Sequence, residues 1–204
     1  MNHRLALTAG AISLTLLMVA SAAWAQQPIR LRGTIEAVDG PMLTVKGRNG
    51  AMTKVKLADN VGIRAVVKMS MADIKAGSYV GVTGMPQPDG SQKALEVHIF
   101  PEPMRGTGEG HRPWDLQPSS TMTNANVETT VASVDGQVLM MKYKDGEKKI
   151  IVPPETPIVT YAPASKDELK PGITIFINNP TKKEDGSYEA AAITISRGDV
   201  KPPM

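Results

Sequence analysis

Thr34-Ile35-Glu36-Ala37-Val38-Asp39-Gly40 returns 96 positions later as Thr130-Val131-Ala132-Ser133-Val134-Asp135-Gly136, and this recurrence sets the reading of the chain. Leu43 to Lys46 answers to Leu139 to Lys142, and Asn49-Gly50 to Asp145-Gly146. After a one-residue adjustment, Asp73-Ile74-Lys75-Ala76-Gly77 matches Glu168-Leu169-Lys170-Pro171-Gly172. Asp89-Gly90-Ser91 then matches Asp185-Gly186-Ser187 at a spacing of 96 again. An ordered series of this kind reads as two copies of one unit, residues 29–102 and 125–198.

Within a unit the hydrophobic period is two. Ile29, Leu31, Gly33, Ile35 and Ala37 alternate with Arg30, Arg32, Thr34 and Glu36, the pattern of a half-buried strand. Asp39-Gly40 and Asp135-Gly136 supply the positive φ of a tight hairpin, and Asn49-Gly50 and Asp145-Gly146 repeat the signal. An extended stretch follows strand three in each unit, Gly62–Met69 and Pro157–Tyr161. Ser165-Lys166-Asp167-Glu168, and more weakly Ser70-Met71-Ala72-Asp73, then open a short helix that Gly172 or Gly77 stops.

Strands four (Tyr79–Met85; Thr174–Asn178) and five (Ala94–Phe100; Glu189–Ser196) complete each unit. Five strands with a short helix between the third and fourth predict an all-β protein of two tandem OB-like small β-barrels, with a small β-sandwich as the alternative. A lone core of this size supplies only ~3–5 kcal/mol, so the two barrels are expected to pack together.

The expected organisation is a signal peptide (1–25), a first barrel (26–102), a Pro/Gly-rich linker (103–124), a second barrel (125–198) and a tail (199–204). The leader reading rests on His3 and Arg4, the apolar run Leu5–Ala20 and the cleavage pattern Ala23-Trp24-Ala25. No later run has the ~18 apolar residues that a membrane-spanning helix needs. The chain has 204 residues, 23 Lys+Arg against 20 Asp+Glu, and no cysteine, which excludes disulfides, thiolate metal sites and cysteine nucleophiles. A periplasmic address is the expectation.

These residues resemble a family of exported bacterial domains of unknown function with a small OB-like barrel. The resemblance rests on Gly33 to Gly40, Ile74 to Val82 and Asp89 to Val97, with Thr129 in the second copy where the first has Gly33. It implies architecture and no chemistry. The chain is also similar to periplasmic bacterial OB-fold proteins thought to bind small ligands or cations, and to exported proteins labelled metal ABC transporter permeases. A permease needs several membrane spans, so that label is set aside and only a hint of metal transport is kept.

Catalytic material is sparse. Past the leader there are two histidines, His98 and His111, and no H-E-x-x-H, G-x-S-x-G or Walker-type run. Nucleic-acid binding on such barrels uses basic and aromatic residues of strands two and three. Met42–Leu57 has no aromatic residue and its counterpart offers only Tyr143, so no nucleic-acid partner is expected. The linker is the chemically richest stretch: Arg105, Glu109, His111, Arg112, Trp114 and Asp115 are the candidate ligand- or partner-binding residues. Trp114 is expected to dock the linker into the groove between the barrels, because a large amphipathic ring packs where its N–H can be satisfied. His111, Met104 and Met122 are weak metal candidates, since thioether and imidazole suit soft cations.

The functional expectation is a non-enzymatic binding or envelope-accessory protein that holds a small ligand or a protein partner and uses no cofactor. The alternatives are a metal-binding accessory linked to metal transport and a carboxylate-based hydrolase.

Overall fold

The computed structural model describes residues 29–134 and 136–202; the leader reading and the turn residue Asp135 fall outside these residues. The described chain is all-β. In order it forms β1 (Arg30–Asp39), β2 (Met42–Gly47), β3 (Met52–Lys68), β4 (Tyr79–Pro86), β5 (Gln92–Ile99), β6 (Gly110–Pro113) and β7 (Thr121–Ser133). There follow β8 (Gly136–Tyr143), β9 (Gly146–Val152), β10 (Ile158–Pro163), β11 (Thr174–Asn178), β12 (Thr181–Lys182) and β13 (Tyr188–Ile195). The expected short helices reduce to single 3-10 turns, Met71–Asp73 and Lys166–Glu168. The serine signals still act there: the Ser70 backbone N–H donates to Asp73 Oδ2 at 2.8 Å and that of Ser165 to Glu168 Oε1 at 3.1 Å. Extended residues Ile74 and Leu169 end each turn before a second helical turn can form.

A five-stranded barrel closes as β1 pairs with β2, β2 with β3, β3 with β13, β13 with β11 and β11 with β1. A second closed circuit runs β4, β5, β9, β8, β7 and back to β4. Its β5–β9 seam is short, consisting of Gln92 against Ile150 and Lys93 against Ile151. Three described strands lie outside the circuits: β6 on β7, β12 on β13, and β10 between β3 and β5.

The cores do not follow the expected boundaries 26–102 and 125–198. One core joins Ile35, Leu43, Val45 and Val55 to Ile175, Ile177, Ile193 and Ile195. The other joins Val80, Val82 and Val97 to Val127, Leu139, Met141 and Ile150. The cause lies in β3. Instead of turning back after the barrel wall it stays extended to Lys68, pairing with β2, then parallel with β13, then antiparallel with β10. Strands β4 and β5 are thereby carried into the circuit built from β7, β8 and β9. β10 makes the reciprocal crossing, parallel to β5.

Register corrects the sequence landmarks too. Ile35 opposes Val45 and Val127 opposes Met141, so the inward residues of the first arms lie 92 positions apart, whereas those of the second arms, like the Asp-Gly pairs, lie 96 apart. The second hairpin is longer at its tip, and Glu128 through Val134 are all exposed. Core burial fixes register, because a slip would move apolar side chains out of the interior. Against β11 and β4, Gly33 faces Ile175 and Ala125 faces Val80; Ala125, not Thr129, occupies the place of Gly33.

Between the circuits lies a third cluster of Val66, Tyr79, Phe100, Met122, Val159, Tyr161 and Phe176. The linker is ordered. Residues 110–113 form β6, and β7 begins at Thr121, inside the segment expected to be linker.

Candidate functional site

A cleft of about 900 Å³ opens where β3 leaves the sheet, beside the β9–β10 connection and the C-terminal tail. Met69 is held there by its N–H to the Ile158 carbonyl, 2.8 Å, and Met71 stands in the 3-10 turn. Pro153, Pro154 and Pro157 stiffen the opposite connection, and the Thr156 N–H closes a turn on the Pro153 carbonyl at 3.0 Å. The tail is folded by the Arg197–Val200 bridge, which brings Val200 to the cleft. The apolar lining is aliphatic and thioether, with Met69, Met71, Val152, Ile158, Val159 and Val200 and no aromatic ring among the described residues. Exposed Lys68, Glu155, Asp199 and Lys201 stand around it.

The linker candidates lie elsewhere, each engaged within the molecule. Arg105 holds Glu102 through Nε at 2.6 Å and Nη2 at 2.7 Å and reaches Asn126 and the Gly77 carbonyl. Glu109 accepts the Lys144 N–H at 2.8 Å, and Arg112 donates to the Gly108 carbonyl at 2.6 Å. Trp114 packs on the inter-barrel cluster with the Arg30 guanidinium 3.8 Å from its ring centre, a cation–π contact. Asp115 receives both Nη atoms of Arg32, 2.8 and 3.1 Å, and lies 3.5 Å from Arg30. Burial alone would raise the Asp115 carboxyl, but the Arg32 hydrogen bonds and the charges of Arg32 and Arg30 outweigh it and hold the group below the usual carboxylate range. These contacts strap the linker to β1. Trp114 packs against the inter-barrel cluster, but its buried indole N–H has no acceptor among the described residues, contrary to the expectation that it would be satisfied.

The three metal candidates do not converge. His111 opposes Thr123 and Arg112 opposes Met122 across β6 and β7, so His111 and Met122 face opposite sides of that sheet. His111 Nδ1 lies 2.8 Å from the Thr123 hydroxyl, while Met122 Sδ accepts from Thr83 Oγ1 at 3.8 Å and Met104 Sδ from Arg64 at 3.9 Å. Burial, with Lys148 and Arg112 nearby, pulls the His111 pKa down. No group of three or more His, Asp or Glu poised for a metal occurs among the described residues. Asp89 and Asp185 each accept from a serine two residues on, which places them as turn caps.

The sequence reading passed over one buried polar group. Glu96 and His98, alternate residues of β5, sit wholly buried on the inter-barrel face, with His98 Nδ1 3.7 Å from Glu96 Oε1. His98 and Asn124 meet over Gly81: a Cβ there would stand 2.4 Å from His98 Nε2 and 2.7 Å from Asn124 Oδ1. Asn124 Nδ2 donates to the Thr107 carbonyl at 3.0 Å, which ties the group to the linker. Neither Glu96 oxygen has a hydrogen-bond partner among the described residues, and burial pushes this carboxyl up, with His98 opposing. The signal was the alternation itself, which places Glu96 and His98 on one face of β5, but not which face is covered.

Comparison with family models, with curated proteins and with solved structures finds no match for this chain. The cleft, the linker contacts and the surface chemistry therefore carry the functional reading.

Proposed function

We propose that this chain is an exported, periplasmic binding protein without catalytic function, which takes a small apolar or amphipathic molecule into the cleft between the end of β3 and the β9–β10 connection. The observation that carries this reading is the cleft: about 900 Å³, within the ~300–1,000 Å³ range of ligand pockets, with an aliphatic lining. Met69 and Met71 suit it, because unbranched thioether side chains repack around differently shaped guests. The leader pattern Leu5–Ala25 supports export.

The two circuits are read as OB-like barrels descended from one duplicated unit whose fourth and fifth strands have changed places. Supporting this are matched inward positions: Leu43 and Leu139, Val45 and Met141, Ile175 and Val80, Ile193 and Val97. The resemblance to exported OB-like domains points the same way.

The test is titration with a neutral solvatochromic dye, Nile red, followed by displacement with medium-chain alcohols. Saturable one-site binding that Met71→Trp weakens at least about tenfold, with the circular dichroism spectrum unchanged, supports the reading. Dye binding absent, or indifferent to both Met71→Trp and Met69→Trp, removes it.

A further inference from the structure

A second hollow, about 500 Å³, lies on the outer face of the first barrel, across β11, β1 and β2. Gly33 and Gly47, paired across β1 and β2, contribute backbone to its lining. Around it stand Arg32, Lys46, Arg48 and Lys201; Glu36 is the one lining carboxylate among the described residues, and Asp115 is paired with Arg32. Thr34 and Thr174, cross-strand neighbours, add two hydroxyls.

Part of this charge is preset. The Arg32 side chain, only 9% exposed, lies with its guanidinium 4.9 Å from the Phe176 ring centre and is gripped by Asp115 of the linker. Arg48 donates to the carbonyl of Leu116, one residue further along the linker. The linker thus positions two guanidinium groups beside the hollow, and Lys201 with Pro202 brings in the tail.

We propose that this hollow is a binding site for a phosphate group. A hydroxyl-bearing concavity lined by Lys46, Arg48 and Lys201 suits a compact, multiply charged oxyanion, since ammonium and guanidinium groups give phosphate charge-assisted N–H bonds. The aliphatic cleft sets Lys68 and Lys201 against Glu155 and Asp199 and has no such excess of cations, so the two sites take different chemistry. Free phosphate and a phospholipid headgroup present the same group, and the experiment separates them.

Calorimetric titration of the intact chain with inorganic phosphate at low ionic strength is expected to give saturable binding that weakens as sodium chloride is added. Lys46→Glu combined with Arg48→Glu, two exposed positions outside both cores, should weaken it at least about tenfold while Nile red binding stays unchanged. Arg48→Ala alone should give a smaller loss in the same direction. In a parallel arm, co-sedimentation with phosphatidylglycerol vesicles that inorganic phosphate competes away assigns the headgroup as the source. Phosphate binding without vesicle binding assigns the free anion. If the native chain binds neither, or if the double variant keeps its fold and binds as tightly, the site is refuted. Because Nile red reports the other cleft, this failure is distinct from failure of the proposed small-molecule function.

Discussion

Val66 of β3 and Tyr161 of β10 are direct partners across an antiparallel pair, and the pairing is self-complementary about them. Ala65 opposes Ala162 and Val67 opposes Thr160. The 95-residue offset between Asp73 and Glu168 also relates Val66 to Tyr161, so this pair sits at the centre of a near-twofold crossing. Each half of the chain hands its last strands to the other at this point.

A chain cut in the linker should therefore stay whole. With a protease site placed at Thr107, cleavage should leave both fragments co-eluting at the native size, separating only in denaturant, because each closed circuit uses strands from both. Fragments that part under native conditions would refute the crossing.

The shared cores also predict one unfolding transition. Leu43→Ala and Leu139→Ala, both at fully buried positions in different cores, should each cost about 2–5 kcal/mol and shift the same single transition in urea. Two separable transitions, each answering to one variant, would contradict this.

Gly81→Ala should destabilise by about 1–3 kcal/mol, because the new Cβ would stand 2.3 Å from His98 Cε1 inside the seam. Gly62→Ala is the control. Its Cβ would meet only the Ala191 carbonyl oxygen at 3.9 Å, so its effect should stay within about 0.5 kcal/mol. Chemical denaturation of the pair checks the difference.

Two carboxyls should give opposite pH signatures. Glu96 is raised by burial, so the folded state holds its proton more tightly, and stability falls as pH rises from the ordinary carboxylate range through the raised value. Glu96→Gln should remove that slope and stabilise the protein at neutral pH by about 1–3 kcal/mol, the scale of an unsatisfied buried polar group. Asp115 is lowered, so its contribution is present above its unfolded pKa and is lost as pH falls through the folded value. Asp115→Asn should cost about 1 kcal/mol at neutral pH, modest because the carboxylate is half exposed, and should make no difference in strong acid. Thermal melts across pH 2 to 8 read both.

Much of the strand content was legible. Strand four of the second unit, Thr174–Asn178, was read with its observed bounds, and strand five of the first was placed within two residues. Alternation and Asp-Gly or Asn-Gly turns are local, and local backbone preferences decide them. The 92-residue offset between β1 and β7 was hidden because the repeated landmark belongs to a turn whose arms differ in length. Of the candidate site residues, Trp114 and Asp115 were recognised as unusual, but their partners Arg30 and Arg32 were read only as the polar face of a strand. The cleft at Met69, Met71 and Val152 joins segments more than 60 residues apart, with no motif to announce it.

The sequence by itself determined that this is a β protein of repeated hairpins, because side-chain period and turn residues act over a few positions. Which strands close which barrel was decided only in three dimensions. Intact pairing along β3 and β10 favours extended chain at both crossings, and apolar faces that match equally well within a unit or between units leave local pattern indifferent to the choice. The linker then completes the arrangement by seating Asp115 on Arg32 and Trp114 on Arg30.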